Sequence, residues 1–172
     1  MQPECTSEKL VFQGCGRREV IAKFNGGTIT SDGGALLLKQ VEAKRKIIKQ
    51  FAACFTDYRA PDKIEHSVEE LVAQRVYGLA LGYEDLNDHD LLRRDPLLAA
   101  VVGKNDPTGE DRRREADRGS ALAGKSTLNR LELRSDAPQK NGRYKKIAID
   151  ARKVDELFVE LFLQAHDQVP EF

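Results

Sequence analysis

The sequence predicts a mainly α-helical protein that opens with a β-hairpin and continues as several short amphipathic helices. Apolar residues recur at intervals of three and four along most of the 172 residues. Typical helix starters such as Ser67 precede these segments, and glycine or proline follows several of them. Near the start, a weak strand-like alternation runs directly into Asn25-Gly26-Gly27, which is typical of a tight hairpin turn.

The first predicted elements are this hairpin and one helix. Residues 19–24 form a strand that pairs with residues 28–30 across the turn. Ser31 or Asp32 caps the helix that follows. Its buried side is predicted from apolar residues at helical spacing, which are Leu37, Val41, Ile48, Phe51, Ala52 and Phe55.

The clearest helix comes after a loop around Pro61. Ser67 and Glu70 have the spacing of a capping box. The helix is predicted to end near Gly82. Its apolar face consists of Val68, Val72, Val76, Leu79 and Tyr83.

Two shorter helical segments follow. Asn87 or Asp88 caps a helical turn that ends before Asp95-Pro96, and a second helix runs from Leu97 to about Gly103. Residues 104–120 are rich in charge and are predicted to form an exposed loop.

The C-terminal part is predicted to hold two more helices. One follows Ser126 or Thr127, and the other follows Asp150. Asp150 ends the strand-like stretch 145–150, so it is either a helix cap or a catalytic carboxylate like those of RNase H-like folds. Capping is favoured because no second carboxylate converges with it. The last helix has one apolar stripe, formed by Val154, Leu157, Phe158, Leu161 and Phe162.

Composition narrows the function classes. No apolar run is long enough to span a membrane, and the polar start MQPECTSEKL does not resemble a secretory signal. The three cysteines lack metal-site or disulfide spacing, so we expect a cytoplasmic protein. The formal net charge is zero, yet residues 125–153 carry nine basic and three acidic side chains, a local charge of +6. Such a basic segment is typical of a surface that binds a polyanion, and it is also typical of a solvated lysine-rich loop.

One motif matches a phosphate-binding loop by its letters. Gly119 to Ser126 has the spacing GxxxxGK(S/T). A working loop of this kind follows a buried strand, and here the preceding ten residues are mostly charged. A loop before a capped helix is therefore favoured over nucleotide binding.

Four stretches carry a resemblance to a known family. They are 30–38 (TSDGGALLL), 74–90 (QRVYGLALGYEDLNDHD), 92–96 (LRRDP) and 122–132 (LAGKSTLNRLE). In order and spacing they resemble the N-terminal part of bacterial insertion-sequence transposases of the DDE group-one family, over about residues 8–168.

The resemblance implies an enzyme that cuts and joins DNA at the ends of its own mobile element. It implies two Mg²⁺ ions held by Asp, Asp and Glu in an RNase H-like domain. In that family the first catalytic aspartate follows the point that corresponds to Pro170, and this chain ends at Phe172. We therefore expect the RNase H-like core to be essentially absent, with no catalytic residue, metal ligand or cofactor in this chain.

The resulting prediction is an N-terminal transposase fragment in three parts. Residues 1–17 form a flexible N-terminus, 18–168 a helical DNA-contacting region, and 169–172 a truncated end. DNA contacts are predicted from Arg112, Arg113, Arg114, Arg118, Lys125, Ser126, Thr127, Arg130, Arg143, Lys145 and Lys146.

Two alternatives remain open from the sequence. The chain could be a small helical interaction protein without a DNA role, or a nucleotide-binding module that uses Gly119 to Ser126. The apolar stripe of the last helix predicts self-association under the first alternative and under the transposase interpretation.

Overall fold

The computed structural model describes residues 10–15, 17–22, 30–132 and 146–166. These residues form seven α-helices and two separate two-stranded antiparallel sheets, which confirms the mainly α prediction. The helices are α1 (Ala35–Arg45), α2 (Ile47–Ala52), α3 (Val68–Ala80), α4 (His89–Leu92), α5 (Pro96–Val102), α6 (Lys125–Glu132) and α7 (Ala151–Ala165). The strands are β1 (Leu10–Cys15), β2 (Arg18–Ala22), β3 (Phe55–Asp57) and β4 (Ile147–Ile149).

The N-terminal hairpin is present, but its first strand and its turn differ from the prediction. The predicted strand 19–24 largely coincides with β2, which pairs with the preceding β1 through Val11 opposite Ile21 and Phe12 opposite Val20. β1 lies within residues 1–17, which were expected to be flexible. Its Leu-Val-Phe start has strong strand propensity, which outweighs the polar residues before it. Residues 23–29, with the predicted turn, lie outside the described part of the chain.

The single helix predicted after Asp32 is in fact two helices. Lys46 separates α1 from α2 and adopts a left-handed backbone conformation, with φ of 56°. Glu42 then caps α2, because its carboxylate accepts hydrogen bonds from the backbone N–H groups of Ile48 (2.9 Å) and Lys49 (3.3 Å). The spacing of apolar residues does not predict this break, because it continues unchanged from α1 into α2.

The buried face of α1 also differs from the predicted one. Ala35 and Leu36 are buried, whereas the predicted Leu37 and Val41 are 58% and 52% exposed. α1 packs on α5 through this face. Phe55 likewise leaves the predicted helix and lies in β3, where its ring packs edge-on against Phe51 at 5.3 Å.

α3 is the central helix and begins as predicted. The Glu70 N–H donates to Ser67 Oγ (3.1 Å) and the Ser67 N–H donates to the Glu70 carboxylate (2.8 Å), which completes the capping box. Its buried residues are Leu71, Val72, Ala73, Gln74, Tyr77 and Gly78. Leu79 of the predicted apolar face is 48% exposed.

The second sheet joins two distant segments. β3 pairs antiparallel with β4, and the Asp150 N–H donates to the Cys54 carbonyl (2.9 Å) just beyond the sheet. Asp150 caps α7 by accepting from the N–H groups of Arg152 (3.1 Å) and Lys153 (3.3 Å), which confirms the capping interpretation. α5 ends at Gly103 as predicted, and Asp95 caps its start by accepting from the N–H groups of Leu97 (2.7 Å) and Leu98 (3.0 Å).

Two apolar clusters form the core. The larger one joins α1, α2, α3 and α5, and the smaller one joins α3, α6 and β4 through Leu71, Ala123, Leu128 and Ile147. In the ranges that the structure describes, no helix combines the length and the apolar character needed to cross a bilayer.

Candidate nucleic-acid interface

A polar cleft of about 320 Å³ lies between the start of α6 and residues 59–66, and we call it the α6 cleft. Four segments that are distant in sequence form its walls. They contribute Arg59, Lys63, Glu65, His66, Asp90, Arg93, Arg112, Arg114, Asp117, Gly124, Ser126, Thr127 and Arg130. Six of these side chains are cationic and three are acidic, so the lining carries a net charge of +3 when His66 is neutral.

A buried polar network fixes the start of α6. Gln74 of α3 accepts a hydrogen bond from the Ala123 N–H (2.9 Å) and donates to the Ala123 carbonyl (2.7 Å). Its amide nitrogen also lies 3.2 Å from Nδ1 of His89, which is fully buried. The Leu122 N–H donates to the Arg93 carbonyl (3.1 Å). These bonds hold the segment before α6 against α3 and α4.

Two glycines allow this close packing. A Cβ at Gly78 would lie 2.8 Å from His89 Cε1, so α3 can approach the imidazole only without a side chain there. A Cβ at Gly124 would lie 3.1 Å from the Asp90 carboxylate and 3.2 Å from an Arg93 guanidinium nitrogen. The absence of a side chain at Gly124 keeps this wall of the cleft close to α4.

Ion pairs around the buried Arg112 form the floor of the cleft. Arg112 Nε lies 3.0 Å from Glu65 Oε1, and the Arg112 side chain is only 7% exposed. Arg93 donates to Asp117 at 2.8 Å. The hydrogen bond from Arg93 holds the pKa of Asp117 below its usual range. The prediction of an exposed loop over 104–120 is therefore wrong at Arg112, whose charge can be buried because acidic groups face it.

The floor also keeps one histidine neutral. Burial, followed by the positive charges of Lys104, Arg112, Arg59 and Arg93, lowers the pKa of His66 from 6.5 to about 3. The neutral ring faces the Arg112 guanidinium, with 2.6 Å between His66 Nε2 and Arg112 Nη1. The charges that hold His66 neutral also create a positive potential at the cleft.

The rim carries cations that are free to bind. Lys63, Arg114 and Arg130 are exposed, and none of their side chains forms an ion pair or hydrogen bond within the described ranges. Ser126 and Thr127 add hydroxyl groups in the first turn of α6. Exposed cations beside hydroxyls and a helix start are suited to phosphate oxygens.

Lys125 has a different environment. Its backbone N–H donates to the Asp90 carboxylate (3.1 Å), and its ammonium lies 3.4 Å from that carboxylate and 3.0 Å from Asn87 Oδ1. The backbone hydrogen bond from Lys125 is the main cause of the lowered pKa of Asp90. A carboxylate therefore already occupies the start of α6 near Lys125.

This arrangement also disfavours the nucleotide-binding alternative for Gly119 to Ser126. A phosphate-binding loop offers free backbone N–H groups. Here Ala121, Leu122 and Ala123 are about 1% exposed, and the N–H groups of the last two are already bonded to Arg93 and Gln74. The segment is a core-packed link into α6.

The cleft unites five of the eleven predicted DNA-contacting residues, namely Arg112, Arg114, Ser126, Thr127 and Arg130. Lys125 stands beside it. Arg113 bonds to the Asp62 carbonyl, and Arg118 is exposed outside the cleft lining. Lys146 is half-buried next to β4, and Arg143 and Lys145 lie outside the described residues.

Sequence reasoning missed eight of the thirteen cleft residues, among them the cations Arg59, Lys63 and Arg93 and the histidine His66. Arg93 lies in the LRRDP stretch that carried the family resemblance, so that stretch was a usable signal. Arg59 and Lys63 flank Pro61 in a segment without any pattern. Only the fold brings them to α6.

The metal pair that the resemblance implies does not fit the described residues. No group of three or more His, Cys, Asp or Glu side chains within them could hold a metal ion. Four aspartates have other partners. Asp57 pairs with Arg59 at 2.7 Å, Asp117 pairs with Arg93, and Asp95 and Asp150 cap helices.

α7 presents a separate apolar surface. Leu157 is buried and Val154 and Leu161 are half-buried, whereas Phe158 and Phe162 are 61% and 44% exposed. The predicted stripe thus faces the protein on one side and solvent on the other.

Comparison with known proteins gives one match. The model of the family described as Transposase DDE domain group 1 matches residues 12–172. No curated protein and no solved structure matches the chain significantly.

Proposed function

The chain belongs to the transposase DDE domain group 1 family and so has a role in transposition, and from this premise we propose that it binds DNA at the ends of the element. It does so in the bacterial cytoplasm, and it does not cut DNA by itself. Its binding surface is the rim of the α6 cleft together with the basic residues around it.

The observation that carries this proposal is the set of rim cations that form no ion pair within the described residues. Lys63, Arg114 and Arg130 are exposed and surround the first turn of α6, whereas acidic partners neutralise the cations on the floor. Cations without acidic partners release counterions when they meet phosphates, which drives DNA binding.

The test is the salt dependence of DNA binding. The Kd for a labelled duplex from the element end is measured between 50 and 200 mM salt for the wild type and for the double variant Arg114→Ala/Arg130→Ala. Each lost phosphate contact lowers the slope of log K against log salt by about 0.9, so the double variant loses about two. Lys44→Ala, an exposed cation of α1 outside the cleft, is the matched control and keeps the slope.

Two results would contradict the proposal. One is a wild-type protein whose DNA affinity does not depend on salt. The other is an equal loss of slope in the double variant and in Lys44→Ala, because the charge would then act without regard to position.

The proposal that the chain does not cut DNA alone rests on its carboxylates. Asp57 and Asp117 pair with arginines, and Asp95 and Asp150 cap helices. Within the described residues, no three His, Cys, Asp or Glu side chains converge in a way that could hold a metal ion. We expect no nicking of supercoiled plasmid bearing the element ends, in Mg²⁺ or Mn²⁺. Nicking that survives repurification and disappears in Asp90→Asn or Asp117→Asn would overturn this part.

The exposed side of α7 favours a second function, which is self-association. Phe158, Val159, Phe162 and Leu163 are between 44% and 61% exposed on one helix. Light scattering at rising concentration should show a dimer that the double variant Phe158→Gln/Phe162→Gln abolishes. Leu91→Gln, which replaces an apolar side chain that is 78% exposed elsewhere, is the control. A wild type that stays monomeric at 200 μM would refute self-association.

A further inference from the structure

The α6 cleft is too small to receive a DNA duplex. Its volume is about 320 Å³, near the lower end of small-molecule pockets, and the duplex major groove alone is about 12 Å wide. A duplex can therefore lie across the rim but cannot enter. A group that enters has the size of a phosphate with part of its nucleotide.

The charge of the cleft lining indicates which chemical group the cleft binds. The lining has a net charge of +3. The cations Lys63, Arg114 and Arg130, which form no ion pair with the residues that the structure describes, come from three separate segments. A phosphodiester carries one negative charge, whereas a terminal phosphate carries about −1.5 to −2 at pH 7. A terminal phosphate therefore matches the cleft better than an internal one.

The floor adds polar groups to the site without adding net charge. The Arg112 side chain is 7% exposed and its Nε has no geometrically satisfactory hydrogen bond, although Glu65 lies 3.0 Å away and balances its charge. Arg93 pairs with Asp117 at 2.8 Å in the same way. The positive charge that a ligand meets in the cleft therefore comes from the rim cations.

Chain geometry favours a strand end over an internal position. The cleft is walled by residues 59–66 on one side and by Gly124 and the first turn of α6 on another. An internal phosphate needs room for the sugar on both sides, whereas a terminal phosphate enters with one sugar behind it.

We propose that the α6 cleft binds the terminal phosphate of a DNA strand, so that the protein distinguishes a phosphorylated strand end from continuous duplex. This inference rests on the proposed DNA-binding function and names the part of DNA that this site takes. The rim residues Lys63, Arg114 and Arg130 contact the phosphate oxygens, and Ser126 and Thr127 donate from the helix start.

The test compares two DNA probes that differ only at one end. Both are duplexes with a three-nucleotide 5′ overhang, and one carries a 5′-phosphate whereas the other carries a 5′-hydroxyl. At 150 mM salt we expect the full chain to bind the phosphorylated probe about tenfold more tightly, as two charge-assisted hydrogen bonds suggest. Lys63→Ala and Arg114→Ala each reduce this ratio to about two, and Lys44→Ala leaves it unchanged.

The variants are chosen so that misfolding cannot explain the result. Lys63 and Arg114 are exposed and form no side-chain bonds within the described residues, so their replacement should leave the thermal unfolding midpoint unchanged. Competition with inorganic phosphate then separates the two sources of this chemistry. If 10 mM phosphate abolishes the preference while a 5′-phosphorylated trinucleotide competes no better, the site binds free phosphate and the strand-end inference is wrong.

The remaining outcomes separate this inference from the proposed function. Salt-dependent binding with equal affinity for both probes refutes the terminal-phosphate site and leaves DNA binding intact. The absence of binding to either probe refutes both. A phosphate preference that persists in Lys63→Ala and Arg114→Ala places the terminal phosphate elsewhere and overturns the inference.

Discussion

Replacing Gln74 tests how the start of α6 is held in place. Gln74 is 1% exposed, and its amide bonds to both the N–H and the carbonyl of Ala123 and approaches His89 Nδ1. Gln74→Met keeps nearly the same length and shape but removes all of these bonds. The substitution thus leaves polar groups of Ala123 and His89 buried without partners.

The expected loss of stability follows from those groups. Each buried polar group without a partner costs about 1–3 kcal/mol, and the added apolar surface of methionine returns part of it. We expect the free energy of unfolding to fall by about 3 kcal/mol in urea titrations followed by circular dichroism. Because Ala123 precedes α6, the variant should also lose the terminal-phosphate preference under conditions where it is still folded.

The control is another glutamine on a helix. Gln40 of α1 is half-buried, and its side chain makes no hydrogen bond with the described residues. Gln40→Met should change stability by less than about 0.5 kcal/mol. If Gln74→Met costs no more than Gln40→Met, the network does not hold α6 and the reasoning fails.

Three further predictions concern stability. Because the pKa of His66 is lowered to about 3, the unfolded chain binds a proton between pH 6.5 and about 3 that the folded chain does not bind. The free energy of unfolding therefore decreases as the pH falls through this range, by up to about 1.4 kcal/mol per pH unit. Urea titrations at successive pH values should show this slope, and His66→Gln should flatten it; an identical slope in the variant would refute it. Lys46→Gly should raise stability by about 0.5–1 kcal/mol because φ at that residue is 56°, whereas Lys49→Gly in helical α2 should lower it; thermal melts that rank them in the opposite order would contradict this. Gly78→Ala should cost about 1–3 kcal/mol despite the better helix propensity of alanine, because its Cβ meets the His89 ring; a stabilised variant in urea titrations would disprove the contact.

Local signals in the sequence were enough for the capping box of α3, the Gly103 end of α5 and the Asp150 cap of α7, which depend on residues within a few positions of each other. The predicted caps at Ser31 or Asp32 and at Asn87 or Asp88 were wrong. Gly34 precedes α1 without a side-chain cap, and Asp85 caps the turn before α4. The hairpin and the helix after Asp32 were placed less well. The hairpin prediction failed because β2 pairs with the strand before it, and the helix prediction failed because the left-handed conformation of Lys46 breaks the helix.

The α6 cleft could be predicted only in part because it depends on tertiary packing. The basic residues around α6 were accessible from charge patterning, since they cluster in sequence. Arg59, Lys63 and His66 were not, because at least 46 positions in the sequence separate them from Arg112. Composition also does not distinguish the buried Arg112 from the exposed Arg114. The difference lies in the tertiary contacts of Arg112 with Glu65 and Asp117.

The stretch from Gln74 to Asp90 supports the α6 cleft by holding α6 in position. Its first residue bonds to the backbone before α6, His89 supports that residue, and Asp90 accepts from the first N–H of α6. Gly78 makes room for the imidazole. The motif therefore fixes the position and angle of α6 and of the cations on it. Under the proposed DNA-binding function, a substitution in this motif should lower both the free energy of unfolding and the salt slope of DNA binding, whereas a substitution at Arg114 or Arg130 should lower the slope alone.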